Sequence, residues 1–410
     1  MPRAVLTALL TLTLFAPACA HYPINPPLDR WDPSKPGYRM ANLPATEANT
    51  DSVLVCLAFS GGGTRSAAMA YGVLRKLANT PIAGGTKTLL DEVDVISSSS
   101  GGSFAAAYYG LFGRERFFRE FEEKVLWRDV GLETFMRVIY CPYNLVRVCS
   151  PWFNRSDLAA ELYTNTIFGD LTYTHLQRRG RPFVVLNASE LATGRRFEFT
   201  QDRFDELEAG LGLVPVSRAV AASSAFPLLL TPVAIYDYSR PDGVRWVHLV
   251  DGGIVDNMAL GHLIESYRRG AIRELIAAGK VEHLVFIVVN ARNRIPEAMV
   301  ESSEAPGAVS VVTLGLGAAI DKQGTDAIEI LSEMCRSSGG DDGAAGAAAP
   351  AIHLIEVDLE DIRGLERREQ LLAVPTTFGL EPEVIQELIS ASYWLLDGSE
   401  ALARLVEALR

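Results

Sequence analysis

Ser100 is the residue of this chain whose neighbours best fit a nucleophile. It follows an apolar, strand-like run and precedes the helix-forming stretch 104–109, with Gly101 and Gly102 directly after it. A strand, a tight turn and a helix in this order expose a serine hydroxyl at a helix N-terminus. The pattern is close to the nucleophile elbow G-x-S-x-G, with Ser98 at the place of the first glycine. An ordinary polar turn has the same composition, so the assignment needs a second motif.

Three successive glycines, Gly61, Gly62 and Gly63, follow a predicted buried strand over 53–59 and precede a helix-like run. Backbone N–H groups without side chains around them suit a phosphate or a developing oxyanion. A nucleotide site has little support, because no P-loop lysine follows and Ser66 occupies the place of the third glycine of a dinucleotide fingerprint. We therefore favour an oxyanion hole formed by the three glycine amides.

Asp251 is the candidate for a general base. It ends an apolar run and is followed by Gly252 and Gly253. A partly buried aspartate at a strand end can take a proton directly from a serine hydroxyl. The alternative is that its carboxylate only caps the Gly-Gly turn.

The order of these motifs resembles the patatin-like phospholipase family, which uses a Ser-Asp dyad without histidine and a glycine-rich oxyanion loop before the serine. Four further segments are also similar to the bacterial branch of that family: 183–188, 193–197, 221–227 and 374–378. The resemblance implies that Ser100 is the nucleophile, that Asp251 is the general base and that the amides of Gly61–Gly63 bind the oxyanion. It also implies that Arg65 helps to hold the glycine loop.

The activity implied by the resemblance is that of a serine lipid acyl hydrolase of the phospholipase A, lysophospholipase or esterase type. It needs no metal or other cofactor and acts on phospholipid or another lipid ester. A lipid acyltransferase with the same dyad and a non-catalytic lipid-binding envelope lipoprotein stay open as alternatives. The chain departs from the family pattern at Ser60 and Ser66 in the glycine loop and at Ser98 in the elbow. None of these departures removes a reacting group.

A Ser-His-Asp triad is the other arrangement of a serine hydrolase. Of the six histidines, His262, His283 and His353 follow Asp251 along the chain. None of them is predicted in a glycine-flanked loop after a terminal strand, where an α/β-hydrolase places its histidine. We place His262 on the surface of a helix and His283 at the start of a strand, so a dyad is favoured.

Short apolar strands alternate with helical stretches along the 410 residues, of which 48% are hydrophobic. This alternation predicts an α/β fold with a mainly parallel sheet covered on both faces, and the resemblance implies the three-layer α/β/α form of patatin. We expect a catalytic domain over 51–295 with a helical insertion, and a C-terminal helical extension over 296–410 that packs on it. The strands are predicted near 53–59, 93–97, 183–188, 247–250 and 284–290, with a late strand over 352–357. A low-complexity run near 337–350 predicts a flexible loop.

Large apolar side chains are dense between 117 and 153. They are typical of ordinary helix core, and a helical cap or acyl-chain channel is the alternative. By resemblance, the segment 226–230 is expected to line the substrate pocket. Cys141 and Cys149 lie close enough in sequence for a disulfide in an exported protein, although two free thiols fit equally well.

Residues 1–20 have the pattern of a signal peptide: Arg3, then an apolar stretch over 4–15, then small residues around Cys19. Cys19 also fits the site at which a lipoprotein signal is cleaved and the chain is lipidated. Residues 21–50 would then form a tether. We expect export to the cell envelope as a membrane-anchored lipoprotein, with a periplasmic or secreted protein as the alternative.

The formal net charge is −12, which argues against a nucleic-acid partner and gives no general attraction to anionic lipid. Nor is a nucleotide expected. Contact with a membrane surface must then come from an acyl anchor or from apolar patches.

Overall fold

The computed structural model describes residues 25–28, 32, 34–227, 229–240, 243, 245–294, 308–337 and 349–410. The predicted signal peptide, with Cys19, and most of the loop predicted near 337–350 lie outside the described residues.

The described residues form an eight-stranded central sheet in the order β10-β9-β1-β4-β5-β8-β7, with β6 paired to β5, and a separate two-stranded sheet of β2 and β3. The strands are β1 (Val53–Phe59), β2 (Pro81–Ile82), β3 (Lys87–Thr88), β4 (Val93–Ser99), β5 (Phe183–Glu190), β6 (Arg195–Glu198), β7 (Val233–Asp237), β8 (Arg245–Asp251), β9 (His283–Asn290) and β10 (Ala351–Asp358).

The helices are α1 (Thr64–Ala78), α2 (Gly102–Phe121), α3 (Val130–Tyr140), α4 (Pro142–Val148), α5 (Arg155–Tyr163), α6 (Tyr173–Arg179), α7 (Gln201–Asp205), α8 (Val216–Ser223), α9 (Gly253–Asp256), α10 (Gly261–Arg269), α11 (Ala271–Ala277), α12 (Ala308–Ser337), α13 (Leu365–Leu372), α14 (Pro382–Asp397) and α15 (Glu400–Ala408). Short 3-10 or π-helical turns cover Met40–Asn42, Ala83–Gly85, Leu89–Glu92, Glu122–Leu126, Thr164–Phe168 and Leu359–Asp361. No described helix is both long enough and apolar enough to cross a bilayer.

The predicted three-layer α/β fold is confirmed. Strands β10, β9, β1, β4 and β5 are parallel, and every residue of β1 is buried, which requires helices on both faces. Beyond the predicted strands, the sheet contains β6 and β7, and β8 runs antiparallel to β5. β6 and β7 are only four and five residues long, too short for a clear hydrophobic periodicity, which is why the sequence did not indicate them.

Parallel and antiparallel pairing in one sheet brings together the ends of the two strands, β4 and β8, that carry the predicted site. β5 lies between β4 and β8. In the parallel pair, Ser99 at the end of β4 faces Asn187 of β5, and in the antiparallel pair Asp251 at the end of β8 faces Ala188. Both strand ends therefore reach the same level of β5, although the strands run in opposite directions.

The C-terminal region is part of this architecture. Besides helices, it supplies the edge strand β10, and α14 packs closely along α1. A Cβ atom at Gly72 of α1 would overlap the carbonyl oxygen of Ile389 and the hydroxyl of Ser392 on α14. The glycine thus allows the two helix backbones to approach each other.

We expect Gly72→Ala to destabilise the fold by about 1–2 kcal/mol, because overpacking at the α1–α14 contact outweighs the better helix propensity of alanine. Gly315→Ala is the matched control, since a Cβ there meets nothing within 4 Å and should stabilise the protein by up to about 1 kcal/mol. Urea unfolding of the two variants measures both effects. Equal behaviour of the two variants would contradict the packing argument.

Candidate active site

The structure brings Ser100 and Asp251 into direct contact. The Ser100 hydroxyl donates a hydrogen bond to Oδ2 of Asp251 over 2.7 Å, and both side chains are buried. Ser100 has a φ of +50°, which is uncommon for a residue with a side chain and is a mark of a strained turn. The strand, tight turn and helix expected around Ser100 are present as β4, Ser100 and α2.

Two glycines allow this turn to approach the preceding strand and loop. A Cβ atom at Gly101 would overlap the carbonyl oxygen of Gly63, and one at Gly102 would lie 2.8 Å from Cβ of Phe59. Ser98, at the place of the usual first glycine, remains in β4 and pairs with Phe59 of β1. The turn therefore forms with serine at that position.

A network of hydroxyl groups holds the backbone of Ser100. Its N–H donates to Oγ of Ser223 over 3.0 Å, and the Ser223 hydroxyl donates to the carbonyl oxygen of Asn187 over 2.6 Å. Ser103 lies 2.8 Å from Ser223 and 3.1 Å from Ser98, measured between hydroxyl oxygens. The sequence analysis did not single out Ser223, although the segment 221–227 that resembles the family contained it.

Asp251 is oriented on its other side by the turn that follows it. Its Oδ1 accepts the N–H of Gly253 over 2.8 Å, while a Cβ at Gly252 would overlap the carbonyl oxygen of Asn187. Burial raises the pKa of Asp251 to about 6, and the hydrogen bonds from Ser100 and Gly253 oppose that rise. The carboxyl group therefore both caps the Gly-Gly turn and accepts the Ser100 hydroxyl, so capping is not its only contact.

The glycine loop lies beside Ser100, and its three amides are not equivalent. The Gly61 N–H donates to the carbonyl oxygen of Asn257 over 2.9 Å, so it is already engaged. The N–H groups of Gly62 and Gly63 have no hydrogen-bond partner within the part of the chain that the structure describes. Both have positive φ, +133° and +61°, which turns their amides away from the helical pattern. The expectation of three free donors is thus corrected to two.

Arg65 ties the glycine loop to distant parts of the chain. Its buried guanidinium donates to the carbonyl oxygens of Ala291, over 2.9 Å, and Val374, and to Oγ1 of Thr376 over 3.1 Å. The N–H of Thr64 donates to the carbonyl oxygen of Thr377 over 2.8 Å. Burial lowers the pKa of Arg65 to about 10. The segment 374–378, which resembles the family, therefore contacts the loop itself.

The two serines that depart from the family pattern also hold this loop. The Ser60 hydroxyl accepts the N–H of Ala291 over 2.8 Å and lies 3.1 Å from the carbonyl oxygen of Gly61. The Ser66 hydroxyl donates to the carbonyl oxygen of Ser60. Each departure is thus accommodated by hydrogen bonds within the buried loop.

The three histidines considered for a triad contact residues other than Ser100 and Asp251. His262 is half-buried on α10, where its Nδ1 is 2.8 Å from Glu198; burial raises the pKa of Glu198, but His262 and Arg196 lower it to about 2. His283 and His353 are neighbours on β9 and β10, with ring nitrogens 3.2 Å apart. Among the described residues, no histidine is within hydrogen-bond distance of Ser100 or Asp251.

An apolar cavity of about 310 Å³ lies between α3, α5 and the segments that contain Leu229 and Phe378. Its link to the glycine loop runs through Phe378, which follows Thr377, whose carbonyl lies against Gly63. The expected segment 226–230 contributes Leu229 and Leu230, and the helical insertion contributes Phe135 among others. The first aromatic residues of the insertion, Phe117 and Phe121, are core, whereas part of α3 lines the cavity.

The disulfide considered between Cys141 and Cys149 is absent, and both thiols are free. The two residues lie on either side of α4. Within the described ranges, no group of three or more histidine, cysteine, aspartate or glutamate side chains is arranged to hold a metal ion.

Comparison with known proteins finds one matching family and several solved structures of low sequence identity. The family model of patatin-like phospholipases matches residues 57–264. Among solved structures, the chain is similar to VipD from Legionella pneumophila, with 13% identity, 90% of this chain and 70% of that one covered, and a TM-score of 0.36. It is also similar to human GIVD cytosolic phospholipase A2 in complex with methyl gamma-linolenyl fluorophosphonate, with 14% identity and a TM-score of 0.45. That match covers 88% of this chain and 59% of the human one. No curated protein matches the sequence.

We expect Asp251→Asn to raise the free energy of unfolding at neutral pH by about 2–3 kcal/mol. A carboxyl group whose pKa rises from 3.8 to about 6 on folding makes the wild type lose stability as the pH rises through that interval. Asparagine cannot ionise, so the difference in free energy of unfolding between the variant and the wild type should appear between about pH 4 and pH 6 and vanish below pH 4. Urea unfolding at several pH values measures this difference. A variant that is less stable than the wild type at every pH would contradict the assignment of a buried carboxylate that is costly to ionise.

Proposed function

This chain belongs to the patatin-like phospholipase family, and we propose that it is a serine lipid acyl hydrolase with Ser100 as nucleophile and Asp251 as general base. The observation that carries the proposal is the 2.7 Å hydrogen bond from the Ser100 hydroxyl to the Asp251 carboxylate. The family supports lipid hydrolysis in general, and this contact supports the particular residues.

The first half of the reaction forms an acyl-enzyme. Asp251 takes the hydroxyl proton while Oγ of Ser100 bonds to the ester carbonyl carbon. The oxygen of the tetrahedral intermediate becomes negative, and the N–H groups of Gly62 and Gly63 are the proposed donors to it. When the intermediate collapses, the bond to the alcohol oxygen breaks and the alcohol leaves with the proton held by Asp251.

The second half regenerates the enzyme. Asp251 takes a proton from water while the water oxygen bonds to the acyl carbon. The Ser100–acyl bond then breaks, Oγ recovers the proton from Asp251, and the fatty acid is released. A carboxylate with a pKa near 6 suits this exchange, because it is ionised at neutral pH and more basic than an exposed aspartate.

The apolar cavity supports a lipid acyl chain as the group transferred. Its wall contains Tyr163, Leu229, Leu230 and Phe378, and aliphatic and aromatic side chains favour binding of a hydrocarbon over that of a polar acyl group. Phe378 in the cavity wall follows Thr377, whose carbonyl lies against Gly63, so we expect an acyl chain held in the cavity to have its ester near Ser100.

Treatment with a fluorophosphonate tests the proposed dyad. We expect one adduct on the full chain by intact-protein mass, no adduct on Ser100→Ala, and labelling slowed by about 10³-fold or more on Asp251→Asn, because the serine loses its base. His262→Ala is the control and should label at the wild-type rate. Loss of labelling in a folded His262→Ala protein would instead indicate a triad, and a folded wild type without any adduct would overturn the hydrolase proposal.

The pH dependence of hydrolysis of a soluble short-chain ester follows from the pKa of Asp251. Only the carboxylate accepts the proton, so kcat/KM should rise with pH and level off above an apparent pKa of about 6. The same profile should persist in His262→Ala. A rate that is constant from pH 4 to pH 8 would exclude Asp251 as the base.

A further inference from the structure

An exposed apolar surface covers the helical insertion. Nine of the fifteen exposed large hydrophobic side chains in the described part of the chain fall between 127 and 152. Those on the two helices α3 and α4 include Leu132, Phe135, Ile139, Tyr140, Tyr143 and Leu145. Tyr140 is 75% exposed and Phe135 is 58% exposed. We call the exposed side chains of residues 127–152 the α3–α4 surface. A contiguous apolar patch of this kind on a folded protein marks an interaction site.

Beyond Val130, which belongs to the main core, the inner side of α3 and α4 packs around a separate cluster. Phe153 and Leu158 form a small buried cluster, against which Val138 and Val148 pack. Arg147 lies 3.8 Å from the centre of the Phe153 ring and forms an ion pair with Glu161. These contacts attach the two helices without using the outward-facing side chains, so folding alone does not account for the α3–α4 surface.

Charge distinguishes this surface from the rest of the molecule. The chain has 50 acidic residues and a net charge of −12, yet the stretch 134–156 contains no aspartate or glutamate and three arginines: Arg137, Arg147 and Arg155. Arg137 has no ion-pair partner among the described residues. The acidic side chains of the surface, Asp129 and Glu133, both lie near its start, where Arg128 pairs with Glu133. From residue 134 on, the surface therefore lacks the negative charge that would repel a bilayer containing anionic lipid.

The α3–α4 surface is continuous with the apolar cavity. Phe135 belongs to both, and Leu229, which is also exposed, lines the cavity as well. A lipid leaving a bilayer at this surface would therefore meet a residue of the cavity wall. A second copy of the chain covering the same residues would close the cavity instead.

We propose that the α3–α4 surface docks on a phospholipid bilayer and passes acyl chains to the cavity between Phe135 and Leu229. The choice of a lipid bilayer as the occupant rests on the proposed function. Trp127 and Trp152 at the two ends of the surface suit the boundary between lipid headgroups and acyl chains, where tryptophan is enriched. The docked helices lie in the interface and do not cross the bilayer.

Tryptophan quenching locates the docking surface directly. The full chain carrying Ser100→Ala, which cannot degrade the vesicles, is mixed with vesicles of brominated phosphatidylcholine and phosphatidylglycerol. We expect its fluorescence to be quenched, and most of that quenching to disappear in Trp127→Phe/Trp152→Phe. Trp394→Phe is the matched control, since Trp394 is 61% exposed on another helix, and should leave the quenching unchanged. Because the signal is local, an N-terminal anchor alone does not produce this result.

Vesicle affinity tests the apolar contribution in the same Ser100→Ala background. Leu132→Ser/Ile139→Ser/Leu145→Ser should weaken binding at least about tenfold, since three side chains that would enter lipid are lost. Leu191→Ser/Leu213→Ser/Leu365→Ser removes leucines of similar exposure elsewhere and should bind as before. Equal binding by both variants, or quenching that does not depend on Trp127 and Trp152, would overturn the proposal.

Self-association is the competing outcome. The proposal is wrong if the wild type forms dimers that Leu132→Ser/Ile139→Ser/Leu145→Ser abolishes, and if vesicles quench the tryptophan fluorescence of neither protein. In that case the α3–α4 surface joins two copies of the chain. These measurements do not depend on turnover. A protein that docks but takes no fluorophosphonate would refute the proposed function and leave the docking surface standing.

Discussion

The candidate site depends on strand register: β4 and β8 must end beside neighbouring residues of β5. In a wholly parallel sheet, a strand end and its following turn reach the same edge automatically. Here β8 runs the other way, and its last residue meets the elbow only because β5 extends beyond β4 and pairs with β8 over that extra length. The short contact between Ser100 and Asp251 is therefore a property of sheet register, and a shift of β8 by one residue would turn the carboxylate to the opposite face.

Close approach of backbones is the second requirement. Gly63, Gly101 and Gly252 each lie where a side chain would overlap a backbone oxygen of another segment. The elbow, the glycine loop and the turn after β8 are thus packed main chain against main chain. This packing excludes water from the buried carboxylate, and the resulting cost of ionisation is what makes Asp251 a stronger base than an exposed aspartate.

The sequence predicted the parts of this site that local pattern encodes. Strand β1 is strongly apolar, β4 begins with Val93, Val95 and Ile96, and each strand runs into a turn of small residues, so Ser100 and the glycine loop were identifiable from the sequence. Which glycine amides remain free was not, because the engagement of Gly61 depends on Asn257, nearly two hundred residues away. Ser223 was missed for a similar reason, since a serine at the end of a helix has no distinctive local signal. Likewise, exposure of the α3–α4 side chains depends on tertiary packing, which an amphipathic pattern does not reveal.

The contacts of Arg65 connect the beginning of the fold to its end. The guanidinium and the neighbouring Thr64 amide are bonded to Val374, Thr376 and Thr377, and Gly63 lies against the Thr377 carbonyl. A chain emerging from the ribosome has its serine and its aspartate long before it has these partners. The glycine loop thus acquires these supports only after the ribosome has added the 309 residues that separate Arg65 from Val374. A product truncated before Val374 would carry both proposed reacting side chains without the contacts that hold the loop, so the order of synthesis itself would delay assembly of the proposed site.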